Sequence, residues 1–141
     1  MLNDDSILML DISPLDKAVE RLREGLVRYA QDTSDTQIRD GLIQRFEFTY
    51  ELSHKTLRRY LSATAPSPDA IHALTFADLI RAGSDQGLLR GDWPKWRGYR
   101  EMRARTSHTY DEDTALEVVA GIPEFLFEAE HLRDEIARRM S

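Results

Sequence analysis

Apolar residues recur at every third or fourth position through long segments of this chain, and no segment shows a convincing alternation of apolar and polar residues. The first such stripe consists of Leu15, Ala18, Val19, Leu22, Leu26 and Tyr29. This spacing places side chains on one face of a helix. Ser13 and Pro14 stand in the order typical of a helix start, with the serine as N-cap. The pattern predicts a first helix from Ser13 to about Tyr29.

A longer stripe follows a polar break at residues 31–35. Its members are Ile38, Leu42, Phe46, Thr49, Tyr50, Ser53, Leu57 and Tyr60. Ser34 and Gln37 have the spacing of a capping box, which predicts a second helix that ends near Ala63. We expect this helix to be central, and we expect Gly41 to allow close approach of a neighbouring element.

Proline and glycine divide the rest of the chain into shorter segments. Residues 65–68, Ala-Pro-Ser-Pro, predict a linker. Thr75 and Asp78 mark the start of a short helix, and glycines predict a loop over residues 83–91. Residues 92–94, Asp-Trp-Pro, then predict the cap of a further helix.

The last helical region is predicted to begin just after His108, because Thr109 and Glu112 have capping-box spacing. Residues 121–123, Gly-Ile-Pro, predict a kink or an interruption in it. The apolar stripe continues beyond this point to the C-terminus.

Together these segments predict an all-α fold, an up-and-down four-helix bundle with an additional short helix. The length of 141 residues fits one domain that spans residues 1–141. We expect residues 1–12 to form a flexible N-terminal segment.

Composition narrows the chemistry and the location. The chain has no cysteine, which excludes disulfides, thiolate zinc sites and cysteine nucleophiles and is compatible with a reducing cytoplasm. Acidic residues flank the apolar patch at residues 7–10, and no basic leader precedes it, so we expect no signal peptide. No apolar run approaches the length of a membrane span.

The histidines have no metal-ligand spacing, and the acidic residues 111–113 are typical of a helix N-terminus rather than a cation site. We therefore expect a cytoplasmic protein without metal or other cofactor.

The formal net charge of −6 argues against a general nucleic-acid coat protein. Between Arg90 and His108, however, six basic residues face two acidic ones. A local basic site on an acidic body is suited to attract one phosphate. A solvated, arginine-rich helix face is the other interpretation of the same stretch.

The cluster Arg103-x4-His108-x-Tyr110 concentrates the residue types that phosphate chemistry uses. Arginine binds phosphate bidentately, and histidine titrates near neutral pH. In one unbroken helix the two side chains would point about 140° apart, so a helix break or a second subunit is needed to bring them together. The alternative is a hinge histidine, an arginine in a surface salt bridge and a tyrosine that packs.

Glu47, Glu51 and Lys55 lie four residues apart on the second predicted helix. The acid-before-base order favours an ion pair between Glu51 and Lys55. Surface pairing and a polar strip that lines a cleft are both open at this point.

Two stretches resemble a known family. Residues 44–61 read QRFEFTYELSHKTLRRYL and look like the second-helix signature of the nucleotidyltransferase substrate-binding proteins of the HEPN superfamily, which include HepT-like toxins. Arg103-x4-His108-x-Tyr110 is similar to the R-x4-H-x-Y motif of that family. The resemblance extends over most of the chain from about Ser13.

The resemblance implies a four-helix bundle that forms a homodimer with two motif copies at a shared cleft. It implies a toxin of a toxin–antitoxin module that cleaves RNA without metal, with Arg103 and His108 as catalytic residues. Tyr110 would be the nucleotidylation acceptor for the antitoxin, a minimal nucleotidyltransferase (MNT-type) partner. Glu47, Glu51 and Lys55 would support the cleft.

One position departs from the family pattern, since Ala104 stands where a polar residue, usually asparagine, commonly follows the motif arginine. A second hypothesis is therefore a non-catalytic subunit that binds a nucleotide or another substrate for the transferase. A third is a structural dimer whose basic stretch pairs with an acidic partner.

Overall fold

The computed structural model describes residues 10–141, and these form six α-helices and one 3₁₀ turn without any strand. The helices are α1 (Ser13–Gln31), α2 (Thr36–Thr64), α3 (Pro68–His72), α4 (Phe76–Asp85), α5 (Trp93–Arg105) and α6 (Glu112–Met140), with the 3₁₀ turn at Thr106–His108. The predicted all-α class is confirmed. Four helices plus a short one were expected; α4 is that short helix, and the additional helix is α3, which has five residues.

The expectations of a flexible segment at residues 1–12 and of no signal peptide concern mainly residues 1–9, which lie outside the described part of the chain. Within the described part, Leu10 is buried and belongs to the core.

Three helix starts differ from the predicted caps. Helix α1 has Ile12 at its N-cap, because Ser13 instead hydrogen-bonds the carboxylate of Asp11. Helix α2 is capped by Asp35, which accepts hydrogen bonds from the backbone N–H groups of Gln37 (3.0 Å) and Ile38 (3.2 Å). Neighbouring polar residues compete for each cap, and aspartate satisfies free N–H groups at least as well as serine.

The third of these starts is that of α6, which has Asp111 at its N-cap. Thr109 instead donates its hydroxyl hydrogen bond back to the carbonyl of Thr106. Two predicted caps are confirmed, since Thr75 accepts from Asp78 N–H and Asp92 accepts from Trp93 N–H.

The predicted interruption at residues 121–123 and the predicted close approach at Gly41 are not found in the described residues. Helix α6 runs from Glu112 to Met140 without interruption at Pro123, and its buried face packs along α2, α1 and α5. Gly41 does not permit a close approach, because a Cβ there would meet nothing within 4 Å. Gly121 has that role instead, since its Cβ would lie 2.6 Å from Met102 Sδ.

The core lies between the long helices and is rich in aromatic rings. Phe125 of α6 packs edge-on against Phe46, Tyr99 and Trp96, at centroid distances of 5.1, 5.1 and 6.0 Å. Tyr50 joins the same cluster 6.2 Å from Trp96. Such edge-to-face pairs favour one fixed arrangement. The cluster holds α5 against α2 and α6, and α5 ends at the candidate site.

None of the helices within residues 10–141 combines the length and the apolar character needed to cross a membrane.

Candidate functional site

Arg103 lies in the last turn of α5, where its side chain faces Glu47 and Glu51 of α2. Its Nη1 atom is 3.6 Å from Glu47 Oε2, and its Nε atom is 3.4 Å from Glu51 Oε1. Nη1 also donates a 2.9 Å hydrogen bond to Thr106 Oγ1, which in turn donates to the carbonyl of Arg103 at 2.7 Å. The turn after α5 therefore fixes the guanidinium against α2.

Several donors of this guanidinium remain unused. Nη2 makes no hydrogen bond among residues 10–141; Nε makes none either, but it is buried and lies against Glu51. An arginine that keeps donors free beside an opening can bind an anion with two parallel hydrogen bonds.

The opening is a pocket of about 410 Å³ between α2, α4 and the end of α5. It is lined by Tyr50, Glu51, His54, Phe76, Arg100, Arg103, Ala104 and Ser107. The Arg100 guanidinium lies 5.5 Å from the centre of the Phe76 ring, a cation–π contact. Two arginines and an aromatic surface are a combination that suits a phosphorylated ligand with a planar base.

His108 occupies the end of the 3₁₀ turn and is exposed. The helix break that was predicted next to it is present, because α5 ends at Arg105 and α6 begins at Glu112. The break does not bring His108 into the Arg103 pocket, and no hydrogen bond joins the two side chains in the described part of the chain. Its ring lies 6.1 Å from that of Tyr110.

Tyr110 is 88% exposed, the most exposed of the large hydrophobic side chains in the described residues. Within the described residues of one chain, Tyr110 is therefore not a packing residue. A phenol presented in this way is accessible to a modifying enzyme.

The predicted polar strip of Glu47, Glu51 and Lys55 is present only in part. Glu47 and Glu51 do contact Arg103, but Lys55 is exposed and forms no ion pair within residues 10–141. The expected pair between Glu51 and Lys55 is not formed, because Glu51 turns to His54, whose Nε2 lies 3.2 Å from Glu51 Oε2.

His54 is a residue of the pocket that the sequence analysis missed. Its side chain is 20% exposed, and its ring packs edge-on against Tyr50 (5.2 Å) and Phe76 (5.4 Å). Burial lowers the pKa of His54 below the usual value, and the nearby Glu51 opposes this shift. Burial also raises the pKa of Tyr50 to about 12. The spacing of three residues from Glu51 was the signal that could have placed His54 beside that carboxylate.

Most of the basic stretch is neutralised by nearby acids. Lys95 pairs with Glu124, Arg97 with Glu101 and Arg105 with Glu117, all on exposed faces. Arg100 makes no ion pair within the described range and instead faces the pocket. The stretch is therefore largely a solvated helix face. Arg90 also makes no ion pair within the described residues, but it lies over the Phe127 ring and away from the pocket.

No group of three or more histidine or acidic side chains in residues 10–141 is arranged to hold a metal ion. Glu112 and Asp113 lie in the first turn of α6, and Glu112 pairs with the nearly buried Arg39 at 2.7 Å.

Comparison with known proteins gives consistent matches. The family model described as nucleotidyltransferase substrate binding protein like matches residues 10–138. A Haemophilus influenzae protein named probable ribonuclease HepT is 38% identical, over 92% of this chain and 94% of the relative.

Two solved structures share the fold. One, from Haemophilus influenzae, is described as revealing the fold of a substrate binding domain of a nucleotidyltransferase; it is 37% identical with a TM-score of 0.83, over 90% of this chain and 99% of the other. The second, from Thermus thermophilus, is 27% identical with a TM-score of 0.70, over 86% of this chain and 98% of the other. This chain therefore belongs to the family of nucleotidyltransferase substrate-binding-like proteins, together with a relative named ribonuclease HepT.

Proposed function

We propose that this protein is a HEPN-type toxin of the cytoplasm, a single-domain four-helix bundle that dimerises and cleaves RNA without a metal ion. The observation that carries the proposal is Arg103, which lines an open pocket, makes no hydrogen bond through Nη2 within the described residues, and is followed by a turn that bears a histidine. The relative named probable ribonuclease HepT supports the same reaction.

In the proposed reaction, His108 accepts the proton of a ribose 2′-hydroxyl, and the 2′-oxygen forms a bond to the adjacent phosphorus. The bond from phosphorus to the 5′-oxygen breaks, and this oxygen takes a proton from solvent. Arg103 binds the non-bridging oxygens and stabilises the charge that develops on them. The products are a 2′,3′-cyclic phosphate and a 5′-hydroxyl end.

A second copy of the chain has a role in this scheme. His108 is exposed and lies outside the pocket that holds Arg103. A dimer that places two motif copies in one cleft would bring a histidine close to each arginine and would exclude water from the reacting phosphate.

The proposed antitoxin is a minimal nucleotidyltransferase that modifies Tyr110. The exposure of this side chain, next to His108, supports the role of acceptor. A transferred nucleotide would place negative charge beside the catalytic groups and repel the RNA backbone.

The deciding experiment measures cleavage of single-stranded RNA by the purified protein in EDTA. We expect cyclic phosphate ends, and we expect His108→Ala to lower the cleavage rate by about 10²- to 10⁴-fold, the usual loss when a general base is removed. Arg103→Ala is expected to lower it by about 10²- to 10³-fold, as for other groups that stabilise transition-state charge.

Matched controls are available on exposed surfaces. His72→Ala removes an exposed histidine of α3, and Arg97→Ala removes an exposed arginine of α5. Both variants should cleave like the unaltered protein. Unchanged cleavage by His108→Ala, or cleavage that requires a divalent metal, would contradict the proposed mechanism.

A second candidate function is a non-catalytic subunit that holds a nucleotide for the transferase. It is favoured by Ala104, which lines the pocket without any polar atom in its side chain, and by the description of the similar solved structure. This candidate predicts nucleotide binding that Arg103→Ala abolishes, with no RNA cleavage and no growth arrest when the chain is expressed alone.

A further inference from the structure

Glu51 is shared between two side chains of the pocket. One carboxylate oxygen, Oε1, faces Arg103 Nε at 3.4 Å, and the other, Oε2, faces His54 Nε2 at 3.2 Å. Because a carboxylate only accepts hydrogen bonds, Nε2 of His54 must carry the hydrogen in this contact. His54 therefore acts on Arg103 through Glu51.

Glu51 forms an ion pair with Arg103 but no hydrogen bond. The Arg103 Nε atom is buried and makes no hydrogen bond, although Glu51 Oε1 is only 3.4 Å away. A carboxylate that turned both oxygens toward the guanidinium would form two parallel hydrogen bonds and occupy the donors that bind phosphate. The contact with His54 holds one oxygen away from that arrangement.

We propose that His54 is a positioning residue of the Arg103 pocket: it draws Glu51 away from Arg103 and so keeps the guanidinium available for an RNA phosphate. The inference rests on the proposed phosphate-binding role of Arg103, and it does not require cleavage. Protonation of His54 strengthens its contact with Glu51 and adds positive charge to the pocket, so RNA binding tightens in mild acid.

The charged groups that face His54 set where this change occurs. On α2 they are Glu51, Lys55 and Arg58, and on α5 they are Arg100 and Arg103; Phe76 of α4 is uncharged. Burial, with Lys55 and Arg58, lowers the pKa of His54 below its usual value of 6.5, against the pull of Glu51. The gain in binding therefore develops as the pH falls below 6.5.

The test uses an RNA that carries 2′-O-methyl groups throughout, has no terminal phosphate and is labelled with tetramethylrhodamine, a dye that does not titrate between the two pH values compared. This probe cannot be cleaved by its own 2′-oxygens, and its phosphodiesters do not titrate near neutral pH. We expect His54→Leu, which keeps an apolar side chain against Tyr50 and Phe76, to weaken binding about tenfold at neutral pH, within the usual range of coupling between contacting residues.

His54→Gln restores a hydrogen-bond donor to Glu51 but cannot titrate. It should bind as the unaltered protein does at about pH 7.5 and should lack the tightening that the unaltered protein shows at about pH 5.5. In a Glu51→Gln background the carboxylate through which His54 acts on Arg103 is absent, although Glu47 remains beside the guanidinium, so adding His54→Leu should change nothing. His72→Leu, on the exposed surface of α3, is the matched control.

Three results would overturn the inference. They are unaltered binding by His54→Leu, an equal loss when His54→Leu is made in the Glu51→Gln background, and no binding of the probe by the unaltered protein. The cleavage assay separates this inference from the proposed function, because RNA binding that depends on His54 without any cleavage contradicts only the nuclease.

Discussion

Glu128 is a carboxylate with 1% of its surface exposed, and it binds the loop before α5 and the first turn of that helix. Its two oxygens accept hydrogen bonds from the backbone N–H groups of Arg90 (2.6 Å) and Gly91 (2.8 Å) and from the indole N–H of Trp96 (2.7 Å). These donors belong to the loop before α5 and to α5 itself. One side chain of α6 therefore fixes the start of the helix that carries Arg103 in its last turn.

We expect Glu128→Ala to lower the free energy of unfolding by about 3 kcal/mol or more, because three donors in a partly or fully buried environment lose their acceptor at about 1–3 kcal/mol each. Urea unfolding followed by circular dichroism measures the change.

The control for this variant is Glu124→Ala, one turn earlier on α6. Glu124 pairs with Lys95 at 2.6 Å, but both side chains are more than half exposed. Such a pair contributes at most about 1 kcal/mol. Equal losses in the two variants would mean that the buried hydrogen bonds of Glu128 contribute nothing specific.

At the scale of residues, the sequence predicted part of the site. The family resemblance implied that Glu47, Glu51 and Lys55 support the cleft, and Glu47 and Glu51 do lie beside Arg103. The pairing of Glu51 with His54 rather than Lys55 was not predictable from helical spacing, since both partners are one turn away. The choice depends on Phe76 of α4, which shields His54 from water and leaves Lys55 exposed.

At the scale of elements, the period of apolar residues located the long helices, because burial of one face against the core dominates their stability. The start positions were less predictable. Around α2, both Ser34 and Asp35 are suitable caps, and a hydrogen bond from Ser34 to Asp32 decides between them. Helix α3 begins at Pro68, the second proline of the pair that predicted a linker, and none of its five residues is buried, so no apolar pattern indicates it.

Replacement by alanine should change the free energy of unfolding in opposite directions at Gly98, inside α5, and at Gly91, just before it. At Gly98, inside α5, a Cβ would meet nothing within 4 Å, so Gly98→Ala should stabilise the protein by up to about 1 kcal/mol through helix propensity.

At Gly91, just before α5, a Cβ would lie 2.8 Å from Lys95 Cβ and 3.1 Å from Glu128 Oε1. Gly91→Ala should therefore destabilise by about 1–3 kcal/mol, the usual range for overpacking. Urea midpoints of the two variants measure both effects. A stabilising Gly91→Ala would show that the loop before α5 shifts freely and that Glu128 does not hold it.

At the scale of the whole molecule, ion pairs join the ends of the chain. Arg133 of α6 contacts Asp16 (3.2 Å) and Glu20 (2.7 Å) of α1, and Arg23 of α1 contacts Glu130 of α6 (2.9 Å). These contacts hold the first and last helices together, and they depend on ionised carboxylates. The sequence could not assign them, because the partners are more than a hundred residues apart.

The stability of the folded chain should consequently fall in acid, in two separate ranges of pH. Burial lowers the pKa of His54, so the unfolded chain takes up a proton there more readily, and stability is lost as the pH falls below 6.5. Hydrogen bonds from Arg23 and Arg133 lower the pKa of Glu20, so the contribution of Glu20 to stability is present above pH 4.5 and is lost as the pH falls further.

Urea unfolding at a series of pH values tests both ranges. His54→Gln should remove the pH dependence of the upper range alone, while His72→Gln, on the exposed surface, should leave both unchanged. If His54→Gln kept the upper range intact, another histidine would be responsible for it, and the burial of His54 between Tyr50 and Phe76 would not affect its proton uptake.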